Sequence, residues 1–332
     1  MIDAIWEELE GDKTLETGLL YKRYSASVKP NFHVALKAPE NLRCIAIHLK
    51  KDTPVDIPHN NVFKDIRIEL YPDHYNLGKK FLLILLLNSD HHDIFSTLCV
   101  DLIMENREIS DEIELVEQLF IRLNKWHNLF AQLESQGLSD ESQRGLFGEL
   151  KFLEKYIEVS TNLIQCITAW KGPENAIQDY QSASWALEVK TTHGKNHQKI
   201  QIANERQLDT DIFPIIYLFH LSLDVREKNG ETLNEIVDKI MSSVSKDYSA
   251  LNAFKLKLLS AGYYEVHRPV YAETGYLIRQ QRVFQVMNDF PRITESQISG
   301  GIGDVRYSIV LSDEVPWKIT EQELFKNLLN NV

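Results

Sequence analysis

The stretch of sequence that decides the fold reads Asp179-Tyr180-Gln181-Ser182-Ala183-Ser184-Trp185-Ala186-Leu187-Glu188-Val189-Lys190. Side chains alternate between the two faces of a β-strand, so Glu188 and Lys190 point one way while Leu187 and Val189 point the other. An acid and an amine then lie side by side on the polar face of a strand whose opposite face is apolar enough to be buried. With Asp179 nearby, such a cluster can hold a hard divalent cation and position a water molecule, as phosphodiester hydrolysis requires.

A second Glu-x-Lys sequence in the chain serves as an internal control. Glu149 and Lys151 lie in a segment with helical spacing of apolar residues, and positions two apart on a helix face away from each other. In a strand the same two positions converge, so only Glu188 and Lys190 can form one site together. Taken alone, the Glu188–Lys190 pair has a simpler interpretation as a cross-strand charge pair on the surface, which contributes less than about 1 kcal/mol to stability.

Glu149 is a candidate site residue because of its place on the predicted helix. At 100° per residue it falls at the edge of the apolar stripe rather than opposite to it. The stripe consists of Leu146, Leu150, Leu153 and Ile157. Gly145 and Gly148 would let this helix approach a sheet closely, at a cost of about 1 kcal/mol each in helix propensity. The alternative is a solvated glutamate on an amphipathic helix, which the helix considered by itself favours.

Composition indicates a soluble globular protein of about two domains. A chain of 332 residues can bury a sizeable core without disulfide bonds or structural metal. The cysteines Cys44, Cys99 and Cys166 are far apart in apolar sequence, which favours reduced thiols in the cytoplasm. The N-terminus is acidic, unlike a signal peptide, and the longest apolar run, Phe81 to Leu87, is too short for a membrane-spanning helix. We therefore expect a cytoplasmic protein that has no membrane-spanning helix and no membrane partner.

The net charge of −12 argues against indiscriminate binding to nucleic acid, because Lys and Arg dominate the attraction to phosphates. The positive charges are unevenly distributed, however, with basic stretches at 188–206 and 265–292. A local basic groove on an acidic protein is compatible with this pattern.

The order of predicted elements indicates an α/β fold with a mixed central sheet flanked by helices, preceded by a strand-rich N-terminal domain. We predict a strand-rich domain at 1–105, a core at 106–225, and helices and strands at 226–332 that complete or flank the core. The apolar run from Pro214 to Val225 predicts a central strand buried on both faces. Asn204 and Gln207 predict a capping pair that opens a short helix.

Together these residues resemble the PD-(D/E)XK nuclease superfamily, in which an inward glutamate on a helix is followed by an aspartate at a strand edge and Glu-x-Lys on the next strand. More narrowly, five segments look like an uncharacterised family of that superfamily, which is met in bacterial defence and restriction islands. These segments are Gly145-Leu-Phe-Gly-Glu-Leu, Trp170-Lys-Gly-Pro, Asp179-Tyr, Trp185-Ala-Leu-Glu-Val-Lys-Thr-Thr and Glu205-Arg-Gln-Leu-Asp. The resemblance is clearest over 140–210 and implies a restriction-endonuclease-like core.

The resemblance also implies a metal site. Asp179 and Glu188 would be the metal carboxylates, helped by a backbone carbonyl near Val189, and Glu149 would complete the site from the helix. The cofactor would be Mg2+, with Mn2+ as a substitute. Mg2+ usually takes only one or two protein carboxylates together with substrate oxygens, so this set of acids is sufficient.

Two further roles follow from the resemblance. Lys190 would orient or deprotonate the attacking water and stabilise the pentavalent phosphorane, and a buried lysine with a lowered pKa is a usable base. Gln207 falls where related nucleases place a polar helix residue that faces the site. The chain departs from the motif at Gln178, which stands where the motif's name has proline.

The function implied is that of a Mg2+-dependent endodeoxyribonuclease in restriction or anti-phage defence. Its expected partners are DNA and other defence proteins such as an ATPase or a methyltransferase, and cutting both strands would suggest a homodimer. The rival interpretation is a non-catalytic module derived from a nuclease, which binds nucleic acid or partner proteins; the acidic net charge favours it. RNA and branched or damaged DNA also stay open as substrates, because a catalytic cluster does not encode substrate choice.

Three other segments have simpler interpretations than a site. Asp90-His91-His92-Asp93 has the composition of a metal site, but its place before a helix favours an N-cap with exposed histidines. His193 and His197 could touch phosphate beside the site, although a plain turn through Gly194 fits equally well. The glycine-rich segment 299–303 precedes a strand rather than a helix, which indicates a turn.

Overall fold

The computed structural model describes residues 2–12, 16–57, 65–132, 137–194, 199–287, 289–313 and 315–330. The chain forms two compact units, Met1–Ser135 and Gln136–Val332. The predicted domain boundaries at 105/106 and 225/226 stay predictions. Over the described ranges, no helix combines the length and the apolar character needed to cross a membrane.

The first unit is built around an antiparallel sheet. In chain order its described elements are α1 (Ile2–Gly11), β1 (Gly18–Arg23), β2 (Phe32–Ala38), β3 (Leu42–Lys50), β4 (Ile66–Pro72), β5 (Lys79–Leu86), α2 (His92–Glu105) and α3 (Glu112–Gln132). The strands lie in the order β1-β2-β3-β5-β4. Their register aligns Val34, Ile45 and Ile84, all of them fully buried. Trp6 of α1 ties this helix to the sheet, because its indole Nε1 donates to the carbonyl of Ala35 at 3.0 Å.

The second unit contains the mixed sheet. Its described helices are α4 (Asp140–Val159), α5 (Leu163–Ala169), α6 (Leu233–Val244), α7 (Tyr248–Ser260), α8 (Arg268–Tyr271) and α9 (Glu321–Asn330). Its described strands are β6 (Tyr180–Gln181), β7 (Ala186–His193), β8 (Lys199–Ile202), β9 (Ile216–Glu227), β10 (Glu231–Thr232), β11 (Thr274–Val286), β12 (Tyr307–Val310) and β13 (Lys318–Ile319). The main sheet has the order β10-β11-β9-β7-β6, with β13 on β11, and β12 pairs with β8. Strands β7 and β9 run parallel, whereas the other pairs are antiparallel.

This sheet is covered differently on its two faces. Leu187 and Val189 of β7 belong to the core that also contains Leu150 and Leu153 of α4. Ala186 of β7 instead belongs to a second core with residues of β8, β9, β11 and β12. The alternation predicted for the strand is therefore confirmed, with odd positions toward the helices and even positions toward the opposite face.

Most of the predicted elements are confirmed, including the mixed α/β architecture. Ser139 caps α4 by accepting a hydrogen bond from the Ser142 amide at 3.2 Å, and Thr232 with Glu235 forms a complete capping box on α6. The predicted short helix after Asn204 is wrong. The side-chain oxygen of Asn204 accepts hydrogen bonds from the backbone amides of Arg206 and Gln207, but the chain continues as a turn.

The prediction that two glycines admit close packing of α4 holds for one of them. A Cβ added at Gly148 would lie under 3.0 Å from Cγ2 of Thr191 and 3.4 Å from Cγ1 of Val189, both on β7. A Cβ added at Gly145 would meet nothing within 4 Å. Only Gly148 therefore brings the helix against the strand that carries the Glu-x-Lys pair.

The two glycines give a matched pair of substitutions. We expect Gly145→Ala to raise the free energy of unfolding by about 0.5–1 kcal/mol, because alanine is the better helix former. Gly148→Ala should lower it by about 1–3 kcal/mol, because the stiff Thr191 side chain must shift to admit the methyl group. Urea unfolding of both variants measures the difference; equal stabilisation by both substitutions would show that α4 does not press on β7 at Gly148.

Candidate active site

The Glu-x-Lys pair forms one charged site on β7. The Nζ of Lys190 lies 2.6 Å from Oε1 of Glu188, as expected for positions two apart on a strand. The Glu188 side chain is buried and that of Lys190 is 18% exposed, so the pair opens to solvent on the lysine side. In the control sequence Lys151 pairs instead with Glu154 and Glu231, away from Glu149.

Asp179 reaches the pair because β6 is short. Strand β6 pairs only Tyr180 with Leu187 and Gln181 with Ala186, so it does not cover β7 beyond Leu187. The amide of Val189 donates instead to the side-chain Oδ2 of Asp179 at 2.7 Å. A side chain thus replaces the ladder hydrogen bond at this point of the strand edge, which places the Asp179 carboxylate beside Glu188 and Lys190.

Glu149 enters the same site from α4. Its Oε2 accepts a hydrogen bond of 2.6 Å from the indole Nε1 of Trp170. A Cβ added at Gly172 would lie under 3.0 Å from that oxygen and 3.3 Å from Oδ1 of Asp179, so both carboxylates lie over this glycine. The hydrogen-bonded, partly buried position of Glu149 differs from that of a solvated surface glutamate.

Burial dominates the acid–base behaviour of the three carboxylates. It raises the pKa of Glu188 to about 8, and the neighbouring Asp179 adds to this rise while Lys190 offsets part of it. Burial likewise raises the pKa of Asp179, against the opposing effects of Lys190 and the Val189 amide. The pKa of Glu149 lies well above its usual value because of burial and the nearby Asp179. Packing three acids around one amine therefore favours proton uptake.

Lys190 differs from the lysine that the sequence suggested. Burial by itself lowers the pKa of its amine, but the negative charges of Glu188 and Asp179 outweigh this effect, so the pKa is raised. The lowered pKa was expected of a buried lysine beside a metal, and that expectation stays a prediction. At neutral pH the amine is a cation, which suits it to orient a water or to stabilise negative charge rather than to accept a proton.

The carboxylates fit a hard divalent cation. Oε2 of Glu188 is buried and has no hydrogen-bond partner within the described part of the chain, and an unsatisfied buried carboxylate oxygen is costly. No three His, Cys, Asp or Glu side chains of the described ranges already stand in a metal-binding arrangement. Lys190, Trp170 and the Val189 amide each contact one of the carboxylate oxygens. One or two carboxylate oxygens together with water and substrate suffice for Mg2+.

The hydrogen bonds of Gln207 are made within its own turn and to Gln178. Its Oε1 accepts from the amide of Ala203 at 2.9 Å, so the side chain folds back on its own turn. Its carbonyl accepts from Nε2 of the buried Gln178 at 3.2 Å, which ties the turn to the segment that carries Asp179. The residue that replaces the motif's proline thus has a structural contact of its own. The predicted catalytic role of Gln207 and the metal contact near the Val189 carbonyl stay predictions.

Sequence reasoning missed a row of buried polar side chains that lies in register with Lys190 across the sheet. His220 of β9 lies in register with Lys190, and Arg282 of β11 lies in register with His220. Both are buried, and Nε2 of His220 lies 2.8 Å from Oγ1 of Thr192. The signal was present in β9, where His220 and Ser222 interrupt an apolar strand at a spacing of two and so share one face.

The other candidates do not add ligands to the site. His91 precedes α2, but its side chain makes no capping hydrogen bond. Its Nδ1 lies 3.1 Å from Oδ2 of Asp65. The side chain of Asn88 caps the preceding turn. His193 is exposed at the end of β7, whereas Lys195 and His197 lie outside the described residues. Several arginines of the two basic stretches already bind acids: Arg206 with Glu295, Arg268 with Asp238, Arg279 with Asp224, and Arg282 with Asp313.

Comparison with known proteins places the chain in one family. A family model described as "Putative PD-(D/E)XK family member (DUF4420)" matches residues 2–312. The chain belongs to this family. Searches of curated proteins and of solved structures gave no match. Membership of this family agrees with the nuclease-like arrangement of a helix, a short edge strand and a strand that carries Glu-x-Lys. The match also extends the resemblance from 140–210 to nearly the whole length of the chain.

The pKa of Glu188 predicts how stability depends on pH in metal-free buffer with EDTA. Between about pH 4.5, the usual value, and about pH 8, folded Glu188 holds a proton that the unfolded chain has lost. Folding then takes up a proton, so the parent should lose stability relative to Glu188→Gln as pH rises from 5.5 to 7.5. The slope is at most about 1.4 kcal/mol per pH unit.

Urea unfolding of both proteins across this range measures the effect. Glu158→Gln, on the exposed side of α4, is the matched control and should leave the pH dependence of the parent in place. A difference between parent and Glu188→Gln that does not vary with pH would contradict the buried, proton-binding state of Glu188.

Proposed function

We propose that this chain is a metal-dependent nuclease that hydrolyses phosphodiester bonds, with DNA as its substrate. The observation that carries the proposal is the convergence of Glu149, Asp179, Glu188 and Lys190 at the uncovered edge of β7. The family assignment supports the same class of chemistry. The defence role and the protein partners rest on the resemblance of the motifs alone. The cytoplasmic location rests on the cysteines and the composition, and the homodimer rests on the expectation that both strands are cut.

The residues divide the work according to their contacts. Asp179 and Glu188 would hold the cation, with Glu149 on the helix side and the carbonyl near Val189 as further donors. When bound, the cation would polarise the phosphoryl oxygen and lower the pKa of a water molecule. Lys190, on the solvent side of the pair, would donate from Nζ to the attacking water or to a phosphoryl oxygen and so stabilise the charge that develops there.

The Glu-x-Lys control sequence provides a sharp test of this proposal. We expect Lys190→Ala to stay folded and to lose Mg2+-dependent cleavage by about 100-fold or more, the usual effect of removing a group that stabilises transition-state charge. Lys151→Ala removes an amine from the other Glu-x-Lys and should change the rate by less than about threefold, because Lys151 pairs with Glu154 and Glu231. Purified proteins are incubated with plasmid, linear and single-stranded DNA, and with RNA, with and without Mn2+.

The result that overturns the proposal is equal, metal-dependent cleavage by the parent and Lys190→Ala. Calorimetry adds a separate readout, since Asp179→Asn and Glu188→Gln should abolish Mn2+ binding. Mn2+ binding without cleavage of any of these substrates would favour the non-catalytic module, the alternative that the net charge of −12 supports.

A further inference from the structure

The segment after α5, Trp170–Gly172, contacts two acids of the candidate active site, Glu149 and Asp179. Trp170 is fully buried, and its indole Nε1 donates to Oε2 of Glu149 at 2.6 Å. An indole nitrogen can only donate, so this contact engages one oxygen of the carboxylate as an acceptor. The ring packs near Phe254 of α7, with centroids 6.1 Å apart, which restricts how far the donor can move.

The same turn holds the backbone of Asp179. The amides of Lys171 and Gly172 both donate to its carbonyl oxygen, at 2.6 and 2.9 Å. Gly172 also leaves the space that Glu149 and Asp179 occupy, since a Cβ there would collide with the first and lie 3.3 Å from the second. The Trp170–Gly172 turn therefore contacts the side chain of Glu149 and the main chain of Asp179.

Lys257 of α7 binds this turn through two hydrogen bonds. Its Nζ donates to the carbonyl oxygen of Trp170 and to Oε1 of Glu174, the latter at 2.6 Å. The Lys257 side chain is almost fully buried, so these two bonds replace its contact with water. The turn is thereby attached to a helix that carries none of the candidate catalytic side chains.

We propose that the Trp170–Gly172 turn positions the carboxylates of Glu149 and Asp179 for a divalent cation, with Trp170 as a positioning residue that acts through Glu149. This proposal rests on the proposed nuclease function and deepens it. It assigns a role to Trp170-Lys171-Gly172, a segment that the resemblance singled out without explaining it. Hydrogen-bond partners of metal-binding carboxylates set the orientation of the ligand, and losing one typically costs about 10–100-fold in metal affinity.

A second buried tryptophan provides the matched control. Trp185 is 1% exposed and belongs to the same hydrophobic core as Trp170. Its Nε1, however, has no hydrogen-bond partner among the residues that the structure describes. Trp170→Phe and Trp185→Phe each remove one buried indole N–H and keep an aromatic ring, but only the first removes a bond to a carboxylate.

The first measurement tests the contact and needs no activity. The chain has five tryptophans, so the indole N–H region of a 15N NMR spectrum is simple, and Trp170→Phe identifies the Trp170 signal by its loss. We expect Glu149→Gln to shift that signal and Glu158→Gln to leave it in place. A Trp170 signal that does not respond to Glu149→Gln overturns the proposal.

The second measurement tests positioning, by calorimetric titration of full-length protein with Mn2+. We expect Trp170→Phe to weaken Mn2+ binding about 10-fold or more and Trp185→Phe to weaken it less than about twofold. In a Glu149→Gln background the effect of Trp170→Phe should largely vanish, because the two residues act as one unit. Equal affinities of the two Trp variants, or full additivity with Glu149→Gln, overturn the proposal.

Lys257→Met keeps the test decisive if Trp170→Phe does not fold, because it loosens the turn and leaves the indole in place. Lys257→Met should weaken Mn2+ binding and shift the Trp170 signal. If neither the affinity for Mn2+ nor the signal changes, the proposal is overturned. Failure of the proposed function has its own signature. An unmodified protein that binds no Mn2+ and cleaves no substrate overturns that function and the turn's role in it together, whereas an active protein with two equally affected Trp variants overturns the turn alone.

Discussion

The burial of three neighbouring carboxylates is the constraint on which this arrangement depends. Glu149, Asp179 and Glu188 share one amine, and burial raises the pKa of each acid. Charged groups that are taken out of water need partners, and a separate group supplies one for each acid: an indole, a strand amide and the Lys190 ammonium. The architecture around the site can be understood as the means of delivering those three donors to one strand edge.

The sequence was sufficient for the part of the site that follows from local periodicity. The convergence of Glu188 and Lys190 needs only the two-residue repeat of a strand, and the divergence of Glu149 and Lys151 needs only the helical repeat. Both are confirmed by the contacts of the two lysines. The buried central strand was recognisable from its composition, since a long and largely apolar run predicts burial on both faces.

What escaped prediction depends on contacts between distant segments. Nothing near Trp170 in the sequence indicates that its indole meets Glu149, because the two lie on different elements and touch only once the chain is folded. The turn at Gln207 was read as a helix because Asn204 and Gln207 have the spacing of a capping pair, yet the bonds that Asn204 makes also stabilise isolated turns. The raised pKa of Lys190 was missed because burial, considered alone, predicts the opposite direction.

The acidity of the chain has a different meaning once the contacts are known. Several arginines that could have attracted a phosphate backbone are already bound to acids, so they contribute less free positive charge than the sequence suggests. Ionised, the candidate site itself is also negative, because three carboxylates outnumber one amine. A phosphate would therefore be repelled until that excess is neutralised, either by protons, which the raised pKa values favour, or by a divalent cation. On this electrostatic argument, binding of the proposed substrate would be coupled to charge neutralisation at β7, and an acidic net charge is compatible with the proposed nuclease function.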